Sequence, residues 1–254
     1  VNFLFRGEYM SIVTTRVASA RKVASEVIHL QLAKPEGFTW KTGEFARLGL
    51  TLNGEDVFRA YSIASPAGAK TVDFFIADVK DGTLSPKLNA LRENDEILID
   101  TEVGGLLLPE KLEAGGKDLW LFASGTGAAP FMAVTSDEAV MARYERVFLV
   151  HGVRTLDETN YVSWLTRKNA KLTVISCVTR EGGGTLSERI PDALNDGSLE
   201  KAAGVTIEKT HSRALLCGNP GMVKSVREIL KARGFVTPRL GKPGQMLVEN
   251  FWME

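Results

Sequence analysis

Near residue 115 the texture of this chain changes, and no other feature limits its architecture so strongly. Before that point, short β-rich runs occupy residues 25–32, 45–51, 57–63, 71–77 and 96–101, broken by turns such as Pro35-Glu36-Gly37, Asn53-Gly54 and Pro66-Ala67-Gly68. Short strands at this spacing read as an antiparallel sandwich or barrel, interrupted by one short helix over 85–92. A linker then runs from Pro109 to Asp118 with Gly115-Gly116 inside it. Beyond it, buried strands alternate with helical segments. Residues 119–123 lead to a helix from about Pro130, and 147–150 to one near 160–168. Residues 172–177 follow, and 214–217 lead into a helix over 222–233. Such alternation builds a parallel sheet covered by helices. The expected division is 1–115 and 116–254.

Composition narrows the class further. At 254 residues, two modest domains can each bury a core of their own. Lys and Arg number 31, as do Asp and Glu, so formal net charge is zero and nucleic-acid binding and membrane-surface attraction gain no support. No apolar run approaches the roughly 20 residues of a spanning helix. The N-terminus has neither signal-peptide nor transit-peptide character, and Met10 offers a second position at which the chain could start, with residues 1–9 then an extension. The two cysteines, Cys177 and Cys217, each lie in an apolar run. That usage points to a reducing compartment and away from disulfides, zinc or a cysteine-ligated iron–sulfur cluster. The expectation is a cytoplasmic monomer without a metal.

Two short motifs carry the chemistry. Arg59-Ala60-Tyr61-Ser62 closes a strand-like stretch, and its arginine, aromatic ring and hydroxyl suit an anionic, planar ligand. Gly125-Thr126-Gly127-Ala128-Ala129-Pro130 follows the apolar run Leu119-Trp120-Leu121-Phe122-Ala123. Glycines there admit a phosphate close to the backbone, and the amides of a helix N-terminus favour an anion. Pro130 departs from a G-x-G-x-x-G spacing but suits a first helical turn. Lys80-Asp81-Gly82-Thr83-Leu84-Ser85-Pro86 is a turn before a helix, with Thr83 or Ser85 as its N-cap. Arg154 and Arg180 stand at strand ends, with Arg189 a little further on. An arginine rather than an acid after the second strand suits the 2′-phosphate of NADP. Cys217-Gly218-Asn219-Pro220 marks another strand end, and Glu249-Asn250-Phe251-Trp252-Met253-Glu254 brings two adjacent aromatics to a polar terminus.

Taken in order, these segments resemble the bacterial type of ferredoxin–NADP⁺ reductase over nearly the whole chain. Arg59–Ser62 is similar to that superfamily's flavin motif, and Gly82–Ser85 to its FAD-pyrophosphate segment. Gly125–Pro130 and Cys217-Gly218 are similar to its nicotinamide-nucleotide segments. The resemblance implies a Greek-key antiparallel β-barrel for FAD and a Rossmann-like α/β domain for NADP(H). It implies that Arg59 meets FAD phosphate, with Ala60 beside it, while Tyr61 stacks on the isoalloxazine and Ser62 sits near N5. Gly82, Thr83, Leu84 and Ser85 hold the pyrophosphate, and Thr126 lies at the domain junction. Gly125, Gly127, Arg154, Arg180, Arg189, Cys217 and Gly218 meet NADP. Phe251 covers the other flavin face, as a gate the nicotinamide must displace, and Trp252 covers the adenine. Cys217 and Glu249 shape the nicotinamide pocket. Met253-Glu254 extends past the family's aromatic ending, and Phe251 lacks a phenol hydroxyl.

The activity so implied moves electrons between NADP(H) and a small carrier, ferredoxin or flavodoxin, through FAD. The alternative is the reductase component of an oxygenase, or a free-flavin reductase. A fused iron–sulfur domain demands four ligands, which two scattered cysteines do not supply.

Overall fold

A computed structural model of the chain describes residues 11–163, 169–239 and 241–250. The readings that involve Phe251, Trp252, Met253, Glu254 and residues 164–168 fall outside them. The first half forms a six-stranded antiparallel sheet from β1 (Ile12–Ala24), β2 (Val27–Ala33), β3 (Phe45–Leu52), β4 (Glu55–Ser62), β5 (Thr71–Ala77) and β6 (Glu96–Asp100). Its strand order is β4-β3-β6-β1-β2-β5. Strand β1 pairs with β6 through Ile12–Arg16 and with β2 from Val17 onward, and a register shift between Val17 and Ser19 marks the change of partner. Such a bulge bends a strand and curls the sheet. The two outermost strands meet where the Ala64 amide donates to the Asp73 carbonyl (2.8 Å), which closes the barrel. Leu30, Leu32, Phe38, Leu48, Phe74, Ile76, Ile97 and Ile99 fill the interior. One short helix, α1 (Ser85–Asn89), covers one end.

The second half is a five-stranded parallel sheet of β7 (Asp118–Ser124), β8 (Arg146–Val153), β9 (Leu172–Val178), β10 (Ser212–Gly218) and β11 (Met246–Asn250). Its order, β11-β10-β7-β8-β9, reverses direction between β7 and β10. In doubly wound sheets ligands bind beyond the carboxyl ends of strands at that reversal. Alternate residues of β7 face opposite sides. Leu119, Leu121 and Ala123 pack toward α2 (Ala129–Ser136) and α3 (Glu138–Met141). Trp120 and Phe122 pack toward α5 (Ile190–Asp196), α6 (Ser198–Ala203) and α7 (Pro220–Ala232). Trp120 stacks on Phe148 with ring centroids 4.2 Å apart. On α7, Val223, Val226 and Leu230 form the buried stripe that helical spacing predicts. The remaining helix of this half, α4 (Asn160–Ser163), leans against the barrel. Among the described residues no helix is long and apolar enough to cross a membrane.

Several boundaries differ from those expected. Strand β8 runs on through His151, Gly152 and Val153, so these residues belong to the sheet and Arg154 follows its true end. The helix N-cap near residue 84 is Leu84, with no side-chain cap bond. Neither Thr83 nor Ser85 caps it: the Ser85 hydroxyl instead accepts the Val79 amide at 3.2 Å and so closes the preceding turn.

Candidate active site

The Arg59–Ser62 motif ends β4, in register with Leu48, Arg47, Ala46 and Phe45 of β3. Strand alternation places Arg59 and Tyr61 on one face and Ala60 and Ser62 on the other. Arg59 is exposed, and its guanidinium donates to the carbonyl of Phe58 at 2.7 Å. Among the described residues it makes no ion pair. Tyr61 lies half-buried beside it. Burial pushes the phenol up to about 12, against the opposing pull of the Arg59 cation. It is therefore a neutral ring over the whole physiological range. Ser62 is buried, and its hydroxyl has no hydrogen-bond partner. A buried hydroxyl without a partner costs roughly 1–3 kcal/mol, so the Ser62 hydroxyl fits a cofactor atom that would bond to it.

At the head of β7 the chain turns through Gly125-Thr126-Gly127-Ala128 into α2, with Pro130 in its first turn as expected. Gly125 has φ +52°, a left-handed conformation that favours glycine, and open space lies where a side chain would project. Gly127 is packed against β10: a Cβ there would lie 2.5 Å from the Cys217 carbonyl oxygen. Gly218 follows Cys217 directly, and its neighbour Asn219 donates its amide to Ser124 Oγ at 2.8 Å. The turn after β7 and the end of β10 thus form one surface at the strand reversal.

Cys217 faces Glu249 across the β10–β11 pair. Burial, with the Glu249 carboxylate nearby, raises the thiol well above its ordinary range, so it stays protonated. Burial also lifts Glu249 to about 7, opposed by the Leu106 amide, which donates to Oε2 at 3.0 Å. Leu106 follows the Gly104 backbone that pairs with Phe45 of β3. Since Phe45 stands opposite Ser62, a continuous path of neighbours joins the flavin-type motif to the reversal edge.

Arg154 and Arg180 end adjacent strands, and the Arg180 amide donates to the Arg154 carbonyl at 2.9 Å. Arg189 stands at the N-cap position of α5. All three side chains are exposed, and among the described residues none is in an ion pair. Gly82, Thr83, Leu84 and Ser85 form the turn into α1, apart from this edge.

Sequence reasoning assigned no role to His151 or Tyr161. Both are buried, and both address one carbonyl, that of Gly125, at 3.0 Å from His151 Nε2 and 2.6 Å from the Tyr161 hydroxyl. An internal histidine in an apolar strand was the available signal.

A barrel followed by a doubly wound parallel sheet, with a glycine turn packed against the end of β10 at the strand reversal, is the architecture of a flavin- and pyridine-nucleotide-dependent oxidoreductase. Residues 14–106 match the oxidoreductase FAD-binding domain, and residues 121–228 the oxidoreductase NAD-binding domain. A ferredoxin–NADP reductase of Pseudomonas aeruginosa is 34% identical over 257 aligned positions, covering 96% of this chain and 99% of that protein. The flavodoxin/ferredoxin–NADP reductase of Escherichia coli is 31% identical over 94% and 98%. A crystal structure of the Neisseria gonorrhoeae ferredoxin–NADP⁺ reductase with bound FAD and NADP superposes with TM-score 0.89 at 29% identity, covering 94% and 98%. The chain belongs to the ferredoxin–NADP reductase family.

Proposed function

We propose that this enzyme passes electrons between NADP(H) and ferredoxin or flavodoxin, as a cytoplasmic monomer divided near residue 115 into an FAD-binding and an NADP(H)-binding domain. FAD supplies both two-electron and one-electron chemistry when bound. Around it, Arg59 neutralises phosphate charge, Tyr61 presents a neutral ring to stack against, and the Ser62 hydroxyl hydrogen-bonds the ring edge. Gly82, Thr83, Leu84 and Ser85 bring backbone close to the pyrophosphate. Phe251 and Trp252 keep the covering roles that the family resemblance implies.

The nicotinamide nucleotide takes the reversal edge. Gly125, Thr126 and Gly127 face its pyrophosphate, while Cys217, Gly218 and Glu249 shape the nicotinamide pocket. A neutral thiol beside a carboxyl that titrates near 7 offers a pocket of low charge. The observation that carries this reading is the bond from Leu106 to Glu249, which joins the loop beyond β6 to the edge strand of the parallel sheet. It draws the two halves together where a hydride has to cross.

Arg154, Arg180 and Arg189 support NADP over NAD, since all three are exposed and follow the carboxyl ends of β8 and β9 in the chain. Replacing Arg154 and Arg189 by alanine is expected to raise the KM for NADPH at least tenfold, with little change for NADH. A charge-assisted hydrogen bond is worth roughly 1.5–3 kcal/mol, and about 1.4 kcal/mol is a factor of ten. Anaerobic steady-state kinetics with both nucleotides checks this. Equal losses would remove the NADP assignment, and a flavin that neither nucleotide bleaches would remove the activity itself.

A further inference from the structure

The carbonyl of Gly125 is unusual in receiving two side-chain donors, both buried. A carbonyl oxygen has two lone pairs and only accepts, so His151 presents Nε2–H to it and is the neutral Nε2–H tautomer. Burial drives His151 down to about 4, in agreement with a neutral ring, and its Nδ1 has no partner. Tyr161 donates its hydroxyl to the same oxygen, and its oxygen lies 3.3 Å from His151 Nε2.

A trans peptide points its C=O and N–H in opposite directions. Fixing the Gly125 oxygen against His151 and Tyr161 therefore turns the Thr126 amide the opposite way, away from these two side chains. A flipped peptide would set an N–H against the His151 donor, so the arrangement resists reversal.

The ring of Tyr161 makes a second connection. It stacks on Phe75 of β5 with centroids 5.1 Å apart, and Phe75 stacks on His29 of β2 at 4.7 Å. An open cleft of about 540 Å³ borders these rings, lined also by Asp73, Ala64 and Met132. Packing between barrel and α4 is thus open here, and the stack of Tyr161 on Phe75 bridges the two.

We propose that Tyr161 is a positioning residue for the nicotinamide nucleotide, holding the Gly125 carbonyl so that the Thr126 amide faces the pyrophosphate, in a frame tied to the barrel by the ring of Phe75. This rests on the reading of the glycine turn as the nucleotide site. It adds a role for a side chain on the protein side of the turn, away from the ligand.

The Tyr161→Phe holoenzyme tests it, because the ring is kept and only the donor is lost. NADPH and NADH share the pyrophosphate, so KM for both is expected to rise together, about five- to tenfold. The value of kcat with ferricyanide as acceptor, and the flavin content, are expected to stay within twofold. Titration of NADP⁺ against the flavin difference spectrum gives the affinity directly and is expected to weaken by the same factor. Unchanged KM and NADP⁺ affinity would overturn the proposal, as would lost flavin with nucleotide affinity intact in the remaining holoenzyme. A wild-type enzyme that NADPH does not reduce would instead overturn the reading of the turn.

Discussion

Glu249 and His151 are held away from their ordinary ranges by the same cause, burial, with opposite consequences for pH. Glu249 titrates near 7 in the folded chain, above its ordinary 4.5. Between these values the folded state keeps a proton that the unfolded state has lost, so this contribution to stability is present at low pH and disappears as pH rises to 7. His151 titrates near 4, below its ordinary 6.5, so its contribution is present above 6.5 and is lost as pH falls toward 4. Glu249→Gln removes the first effect alone. The melting temperature of this variant relative to wild type is expected to climb as pH rises from 4.5 to 7. A difference that stays flat across that window would show that the carboxyl ionises as freely in the fold as outside it.

Among the elements, the turn between β7 and α2 has the least room to change. Gly127→Ala sets a methyl group 2.5 Å from the Cys217 carbonyl oxygen, so the turn or β10 has to shift. Overpacking of this kind costs roughly 1–3 kcal/mol. Weaker NADP⁺ binding with FAD retained is the expected result, checked by nucleotide titration and flavin content. This turn was legible in the sequence because apolar strand, glycines and helix-starting proline follow in order. Strand β1 was not. It alternates exposed and buried residues and carries Thr14, Arg16, Ser19, Arg21 and Lys22, so hydrophobicity alone does not set it off from a loop. Strand β11 was not read either: only its last two residues, Glu249 and Asn250, were considered, as part of a polar terminus, and the apolar run Met246-Leu247-Val248 is too short to announce a strand by itself. Helices α5 and α6 are seven and six residues long and meet at Gly197, too short to establish a period. At the site, residues that touch ligands in a fixed spacing were readable. Tyr161 and His151 were not, since their partner is a backbone carbonyl 26 or more positions away.

At the scale of the whole molecule, the segment between the sheets is held by Arg213 of β10. This side chain is 3% exposed. Its guanidinium donates to the carbonyls of Glu113 (2.7 Å), Ala114 (2.8 Å), Lys209 (3.0 Å) and Ser212 (2.8 Å). The Glu113 carboxylate lies 3.5 Å away, and the Glu113 amide donates to the Gly244 carbonyl. Further ties between the halves run from Thr42 to Asp137 at 2.6 Å and from the Ser25 amide to Asp157. Arg213→Met keeps the bulk and strands four carbonyls. A loss of at least about 3 kcal/mol is expected at a few kcal/mol for each set of unmet bonds to a charged donor. For a chain of this size that corresponds to a drop of roughly 6–12 °C in melting temperature. Calorimetry and the rate of proteolysis between residues 109 and 117 check it. A variant as stable and as resistant as wild type would show that other contacts hold this segment.

Arg213 grips the connecting segment mainly through main-chain oxygens, which every amino acid supplies. The clamp is therefore indifferent to the side chain at Ala114, which has latitude to drift during evolution, whereas Gly115 is held at φ +84° and a Cβ on Gly116 would lie 2.5 Å from Arg213 Cγ. An engineer exchanging the barrel for another would keep the crossing in register by carrying over one arginine from the far half, together with the backbone path it grasps.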